Sequence, residues 1–428
     1  MQDDIAHTNQ GISHLVITWA LMVPLVYYAS QGAFWFQREA PIRGFGALAL
    51  NDTMGHNVII ATSICLIIVV LILSKLSQIV SSCITMKWFT WLSILALAST
   101  AWSQFPLATI RGSIYLVLNT LFAFYLYWRF KRQQLMKLLY LLGWVCLGAS
   151  LVLIVFFPQF GVFKGAGEEF WQGIYLNKNQ CSMMTVFFLA AACYVKLTGI
   201  FARLLRLLQI CLSVSVIVMS QSRTGWVLLA CLMAYLSFDK LLHRFRADNK
   251  IVVAVFSAAI VLPLVAGAVS NWRKVTYYLG KDPTLTGRTQ IWNSAIESAI
   301  KRPMVGYGYE AFWNGLKGES ANASLMSGWA VSSTHNGWLA VWLTLGAIGV
   351  SILFCTLFKG IKDAIRCLSA DASSYFRWCS CMILLTLVLS MDEEQMLVPN
   401  DLTWILYIVA CIGLSEGAKR IRLGQNHA

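Results

Sequence analysis

Long uncharged runs alternate along this chain with short stretches that hold nearly all of its polar side chains. A helix needs roughly 20 residues to cross about 30 Å of hydrocarbon. Runs that fit lie near 15–36, 57–78, 86–103, 107–128, 135–157, 180–197, 204–221, 224–242, 250–270, 336–358, 376–391 and 402–417. The pattern predicts an all-α integral membrane protein of about twelve transmembrane helices, a single polytopic domain over residues 1–428. The runs from Leu138 to Phe157 and from Asn336 to Phe358 carry no charge at all, whereas the last two runs are short. Between the ninth and tenth predicted helices lies one large loop, 270–334, with short helices of its own. Within it Ile291, Trp292, Ala295, Ile296 and Ala299 form an i, i+4, i+8 stripe, which predicts a helix lying on the membrane surface. Thr286 or Thr289 would cap that helix, and Pro303 would end it.

Composition agrees with the pattern and removes other classes. Hydrophobic residues make up 58% of the 428 and charged residues 12%; the mean hydropathy is +0.65, far from a soluble domain. A net charge of +14 raises the question of nucleic acid. The basic residues sit in short loops between apolar runs, however, which points to topology and anionic head groups instead. Most of the twelve cysteines lie inside apolar runs, where they behave as small hydrophobes, and neither a disulfide framework nor a zinc spacing emerges. Asp3 and Asp4 stand where a cleavable signal would be basic, so the first run is expected to be retained.

Charge placement sets the expected orientation. When alternate loops are assigned to alternate sides, most of the 33 lysines and arginines fall on one side. The short loops of the other side hold only Arg38, Arg43, Arg111, Lys164, Lys178 and Arg223. The positive-inside rule then puts both termini in the cytoplasm and the 270–334 loop outside. An enzyme working on that face is away from the nucleotide pool, and for glycans its energy must come from a lipid-linked sugar diphosphate. No nucleotide-binding glycine-rich loop occurs in the sequence.

Three outward residues carry candidate chemistry. Arg223, in Ser222-Arg223-Thr224-Gly225, is either an arginine snorkelling to head groups or a cation turned into the protein. Arg288 stands at the start of the predicted surface helix, where a cation beside free backbone amides suits a phosphate; a solvated interfacial charge is the other reading. His335 opens an uncharged transmembrane helix behind Ser332, Ser333 and Thr334. It is either a hydrogen-bonded helix-start residue or a base that takes a proton from a sugar hydroxyl. Asp392, Glu393 and Glu394, and Glu168 with Glu169, are competing bases, or ligands of a divalent ion. Lys301 and Arg302 read as residues that complement a helix dipole and bind head groups.

These residues fall into an ordered set. Thr286-Gly287-Arg288 with Ile291-Trp292, then Arg302-Pro303 with Gly306-Tyr307-Gly308, then His335-Asn336 with Leu339, Gly346 and Gly349, resemble the bacterial O-antigen ligase and polysaccharide polymerase superfamily. Ala101-Trp102-Ser103 with Pro106 and Arg111, Trp171 to Tyr175 with Lys178-Asn179, and Ser222 to Gly225 resemble its exopolysaccharide polymerase branch. Gln180-Cys181-Ser182 stands where that branch usually has a glycine nearby.

The resemblance implies a metal-independent, inverting glycosyltransferase of the membrane-embedded C type in the bacterial inner membrane, with its active site facing the periplasm and no cofactor. It implies that Arg223 and Arg288 hold the diphosphate of an undecaprenyl-linked glycan and that His335 activates the acceptor hydroxyl. Arg111 and Lys178 would be secondary anion contacts, with Asn179, Trp292 and Asn336 beside them in the substrate site. The acceptor is a second lipid-linked repeat for a polymerase and the lipid A core for a ligase, and the sequence leaves both open. A transporter or flippase is the rival class. It would place charges in the middle of spans and often show internal repeats; no repeat is seen, and the notable charges lie at helix ends.

Overall fold

The computed structural model describes residues 18–31, 54–165, 168–244, 288–314, 317–327, 331–371 and 373–424. Its helices are α1 (Thr18–Ala29), α2 (Met54–Leu73), α3 (Leu76–Thr85), α4 (Lys87–Ala98), α5 (Pro106–Arg129) and α6 (Arg132–Phe156). A single turn, α7 (Pro158–Gly161), leads into the hairpin β1 (Val162–Gly165) and β2 (Glu168–Trp171). Then follow α8 (Lys178–Tyr194), α9 (Ile200–Met219), α10 (Arg223–Arg244), α11 (Arg288–Lys301) and α12 (Ser320–Ser327). The chain closes with α13 (Gly337–Ala370), α14 (Ser374–Leu389) and α15 (Leu402–Arg422).

Every run predicted from the sequence falls on a described helix except 250–270, which lies outside the described residues. Five described helices, α5, α6, α9, α13 and α15, are long and apolar enough to cross a membrane, and six spans result if the bent pair α2–α3 counts as one. The chain is a multi-pass membrane protein. Its last helix is the most enclosed of these: α15 packs against α5, α13 and α14, with Trp404 and Tyr407 fully buried. Helices α2, α3 and α9 keep many large apolar side chains exposed, as a surface covered by lipid would.

The structure departs from the expected pattern in four places. The run predicted over 57–78 stops at Leu73; Ser74 and Lys75 close the helix through bonds to Leu71 and Ile72, and α3 leaves at 91°. A hairpin, absent from the helix-only reading, covers 162–171, with the Phe163 and Phe170 rings stacked 4.6 Å apart across its strands. The stripe on α11 packs on protein in part, with Trp292 half-buried and Ile296 exposed. Ile291, Ala295 and Ala299 are buried, and Ala295 and Ala299 pack with Tyr307, Phe312 and Leu343 in a small apolar core of their own. Of the proposed caps for α11, Thr286 lies outside the described residues and Thr289 is its second residue.

The fourth departure is inside α13. Gly346 leaves the helical conformation at φ 66, ψ −169 and splits the helix into two parts. Breaking a helix frees backbone groups that must find partners. The loop after α11 supplies them: Ala347 N–H donates to Pro303 O at 2.8 Å and Ile348 N–H to Met304 O at 3.3 Å. In the other direction, Tyr307 N–H donates to Leu343 O at 2.9 Å and Gly308 N–H to Thr344 O at 3.0 Å. The approach is so close that a Cβ on Gly346 would overlap the Met304 carbonyl. The Arg302-Pro303…Gly308 segment is thus laced into the helix that His335 precedes.

Candidate active site

At one end of the bundle α8 begins at Lys178, α10 at Arg223 and α11 at Arg288, while α14 ends at Leu389 and runs on through Ser390 to Asp392. The acidic run Asp392-Glu393-Glu394 joins these elements. Arg288 donates to the Asp392 carbonyl at 2.8 Å and to its carboxylate, and Arg288 Nη2 lies 3.4 Å from Glu393 Oε1. The Thr224 hydroxyl donates to the other Asp392 oxygen. Because Thr224 follows Arg223, one carboxylate brings both arginine segments together. Arg223 itself is exposed and makes no hydrogen bond or ion pair among the described residues.

His335 joins the same group through the next residue. Its Nδ1 lies 3.0 Å from Glu393 Oε2, and Glu393 Oε1 accepts from Asn179 Nδ2 at 2.8 Å. Asn179 Oδ1 accepts from the Ser222 hydroxyl at 2.9 Å, and Ser222 Oγ accepts from Gly225 N–H at 3.2 Å, capping α10. A carboxylate on Nδ1 selects the tautomer that carries its proton there, leaving the Nε2 lone pair to act as a base. Such a base must come within hydrogen-bond reach of the hydroxyl it serves.

The loop that presents His335 is firmly held. His335 adopts φ 49, a conformation that costs a non-glycine residue about 1–3 kcal/mol unless its surroundings impose it. The Ser333 hydroxyl accepts from His335 N–H at 3.0 Å. The N–H and hydroxyl of buried Thr334 both donate to Glu394, and Trp292 Nε1 donates to Thr334 O at 2.8 Å. Asn336 caps α13 by accepting from Leu339 N–H at 3.0 Å. Trp292 and Asn336 therefore appear here as the scaffold of the His335 loop. The Lys178 ammonium lies 4.2 Å from the centre of the Phe170 ring, which ties the start of α8 to the hairpin. Lys301 pairs with Glu319 at 3.0 Å, and Arg302 lies over the Tyr307 ring.

Behind the His335 loop a cavity of about 180 Å3 is lined by Glu310, Glu394, Phe312, Trp313, Ser332 and Thr344, among others. Glu310 sits at φ 56 directly after the glycine-rich segment, and its side chain passes so close to α5 that only glycine fits at position 112. Protein atoms crowd the Glu310 carboxyl even though it keeps accessible surface toward the cavity it lines. This desolvation, reinforced by the charge of Glu394, raises its pKa to about 7, and Arg111 opposes the rise. The structure thus sets Arg111, exposed on α5, beside Glu310. Burial also raises the Glu394 pKa, against the hydrogen bonds from Thr334. Among the described residues no three His, Cys, Asp or Glu side chains converge as metal ligands would.

The meeting point of Arg288, Thr224 and His335 draws on segments distant in sequence, and comparison with known proteins finds all three within one matched region. Residues 208–354, which contain Arg223, Arg288 and His335, match the family model described as O-antigen ligase. That region is similar to the O-antigen ligase family. The exopolysaccharide production protein ExoQ of Rhizobium meliloti is 36% identical over 98 residues, which is 22% of this chain and 22% of that protein. Candidate polysaccharide ligases of Rickettsia prowazekii and Rickettsia typhi are 26% and 24% identical over 144 residues, 31% of this chain and 33% of each relative. The chain matches about a fifth to a third of the length of these curated relatives.

Two features of the site escaped the sequence. Glu393 stood among the competing bases, with nothing to mark it as the partner of His335. Glu310 was not singled out at all, although an acidic residue directly after Gly306-Tyr307-Gly308-Tyr309 is a signal that could have found it.

Proposed function

We propose that this protein is a glycosyltransferase that moves an undecaprenyl-diphosphate-linked glycan onto a sugar hydroxyl at the periplasmic face of the inner membrane, without a metal ion. The observation that carries this reading is the shared carboxylate Asp392, which holds the Arg288 guanidinium and the Thr224 hydroxyl next to Arg223, with His335 one hydrogen bond away on Glu393.

In the proposed reaction the donor diphosphate lies against Arg223 and takes a share of the Arg288 guanidinium, whose five N–H donors outnumber the contacts it makes here. His335 Nε2 removes the proton of the acceptor hydroxyl. The freed oxygen attacks the anomeric carbon from the side opposite the diphosphate, the bond to the diphosphate breaks, and the lipid diphosphate leaves with its charge balanced by the two arginines. Inversion at that carbon follows. The cavity beside Glu310 offers an aromatic wall and polar groups on the acceptor side.

Polymerisation of repeat units is the preferred form of the reaction, supported by the relative named for exopolysaccharide production. Ligation to a lipid A core is the second form, supported by the family description and the Rickettsia relatives. Purified protein supplied with lipid-linked repeat units, with and without a lipid A core acceptor, tests both. A ladder without the core supports polymerisation, and a single core-dependent product supports ligation. Absence of any product from wild type under conditions where the protein stays folded rejects the proposal.

A further inference from the structure

Three of the elements that carry the candidate active site, α8, α10 and α14, have their other ends at a second polar site. α8 starts at the active-site end with Asn179 and finishes at Tyr194; α10 starts with Arg223 and runs past Asp239; α14 starts at Ser374 and finishes toward Asp392. Seventeen helical residues in α8 separate the two ends by about 25 Å. At the far end lies a cavity of about 450 Å3, larger than the one beside Glu310.

Its walls are strongly cationic. Lys196 and Arg203 come from the α8–α9 turn and the start of α9, Arg206 from the next turn, Lys240 from α10 and Arg377 from α14. One carboxylate, Asp239, lines the same space, and it is engaged by Arg377 at 3.1 Å. Among the described residues Lys196, Arg203, Arg206 and Lys240 pair with no carboxylate. Arg206 is pinned by a 3.4 Å bond from Nη1 to Val195 O, while its Nε is buried without a partner among the described residues. Ser374, at the start of α14, turns a buried and equally unpartnered hydroxyl into this region. Basic residues at membrane-helix ends are ordinary consequences of topology when they spread into solvent. Here they converge from four elements on one space, and the buried Arg206 Nε and Ser374 hydroxyl, without acceptors among the described residues, cost free energy until a polar group such as an anion reaches them.

The rest of the surroundings identifies the anion's carrier. Val195, Leu197 and Leu236 line the same cavity, and on α9 Ile200, Phe201 and Leu204 are more than half exposed beside Arg203. A free inorganic anion has no use for apolar wall, whereas a phospholipid presents a phosphate and an acyl chain together. We propose that this cavity is a specific site for the phosphate head group of an anionic phospholipid, whose acyl chain lies along the exposed apolar face of α9. The site is separate from the reaction centre, and its occupancy does not depend on what that centre transfers.

The test uses the full-length protein exchanged into phosphatidylcholine vesicles, with and without phosphatidylglycerol, and counts retained lipid by native mass spectrometry after gentle extraction. Wild type is expected to keep about one phosphatidylglycerol per chain and no comparable phosphatidylcholine. Arg203→Gln, which alters an exposed side chain, and Arg206→Gln, which alters a part-buried one, are each expected to lower that retention about tenfold. Lys419→Gln with Arg420→Gln, at the end of α15 and outside the cavity, is expected to leave it unchanged. Equal loss in the cavity and control variants, or retention that never saturates, means general head-group attraction and overturns the proposal. Displacement of the lipid by millimolar inorganic phosphate, with equal thermal protection by phosphate alone, overturns it in favour of a soluble anion.

Discussion

His335 Nδ1 and Glu393 Oε2 lie 3.0 Å apart, and the same carboxylate is fixed from its other oxygen by Asn179 at 2.8 Å. The imidazole is thereby oriented from one side, with its second nitrogen left to act. His335→Ala is expected to lower transfer by about 10²–10⁴-fold, the usual contribution of a general base. Glu393→Gln, which keeps the size but not the charge, is expected to give a smaller loss. Initial rates with extracted lipid-linked repeat units, at matched protein levels, measure both. Full activity in Glu393→Gln would remove the carboxylate from the mechanism.

Arg223 and Arg288 are expected to differ when replaced. Arg223 is exposed and unpaired among the described residues, so Arg223→Ala should cost about 10²–10³-fold in rate while leaving thermal stability close to wild type. Arg288 holds Asp392, so Arg288→Ala should lose both activity and stability, and Arg288→Lys should restore stability better than rate because an ammonium lacks the planar fork. Melting temperatures in detergent beside the rate assay separate the two effects. Wild-type rates in either alanine variant would refute the diphosphate role.

Gly346 and Gly148 form a matched pair. Gly346→Ala places a Cβ against the Met304 carbonyl in a backbone conformation that already disfavours side chains, so a loss of more than about 1–3 kcal/mol is expected. At Gly148, inside α6, a Cβ meets nothing within 4 Å, and Gly148→Ala should be neutral or stabilising by about 0.5–1 kcal/mol. Thermal unfolding of the two variants decides whether the break in α13 is structurally required.

Glu310 gives stability a pH dependence. Its folded-state pKa is raised from 4.5 to about 7, so the folded protein holds a proton that the unfolded chain has already released within this window. The stabilisation is complete below pH 4.5 and is lost as the pH rises through about 7. Glu310→Gln cannot release that proton, so its melting temperature should gain on wild type between pH 4.5 and about 7. Parallel melting curves across that range would show that Glu310 is not desolvated.

The hydrophobic pattern alone determined that this chain is helical and crosses a membrane several times, because each apolar run long enough to span hydrocarbon must satisfy its own backbone. It also located Arg223, Arg288 and His335, whose polar chemistry stands out against apolar flanks. Composition could not reveal the break at Gly346, since a glycine in an apolar run reads as helix until another segment's carbonyls are seen to cap it. Nor could it say which part of the stripe on α11 packs on protein, because lipid and a protein core select the same side chains. The pairing of Glu393 with His335, the sharing of Asp392 and the convergence of basic side chains at the far end of α8 are contacts between residues distant in sequence. Only the packing of whole helices brings such groups within hydrogen-bond range, and that packing was decided by the tertiary structure.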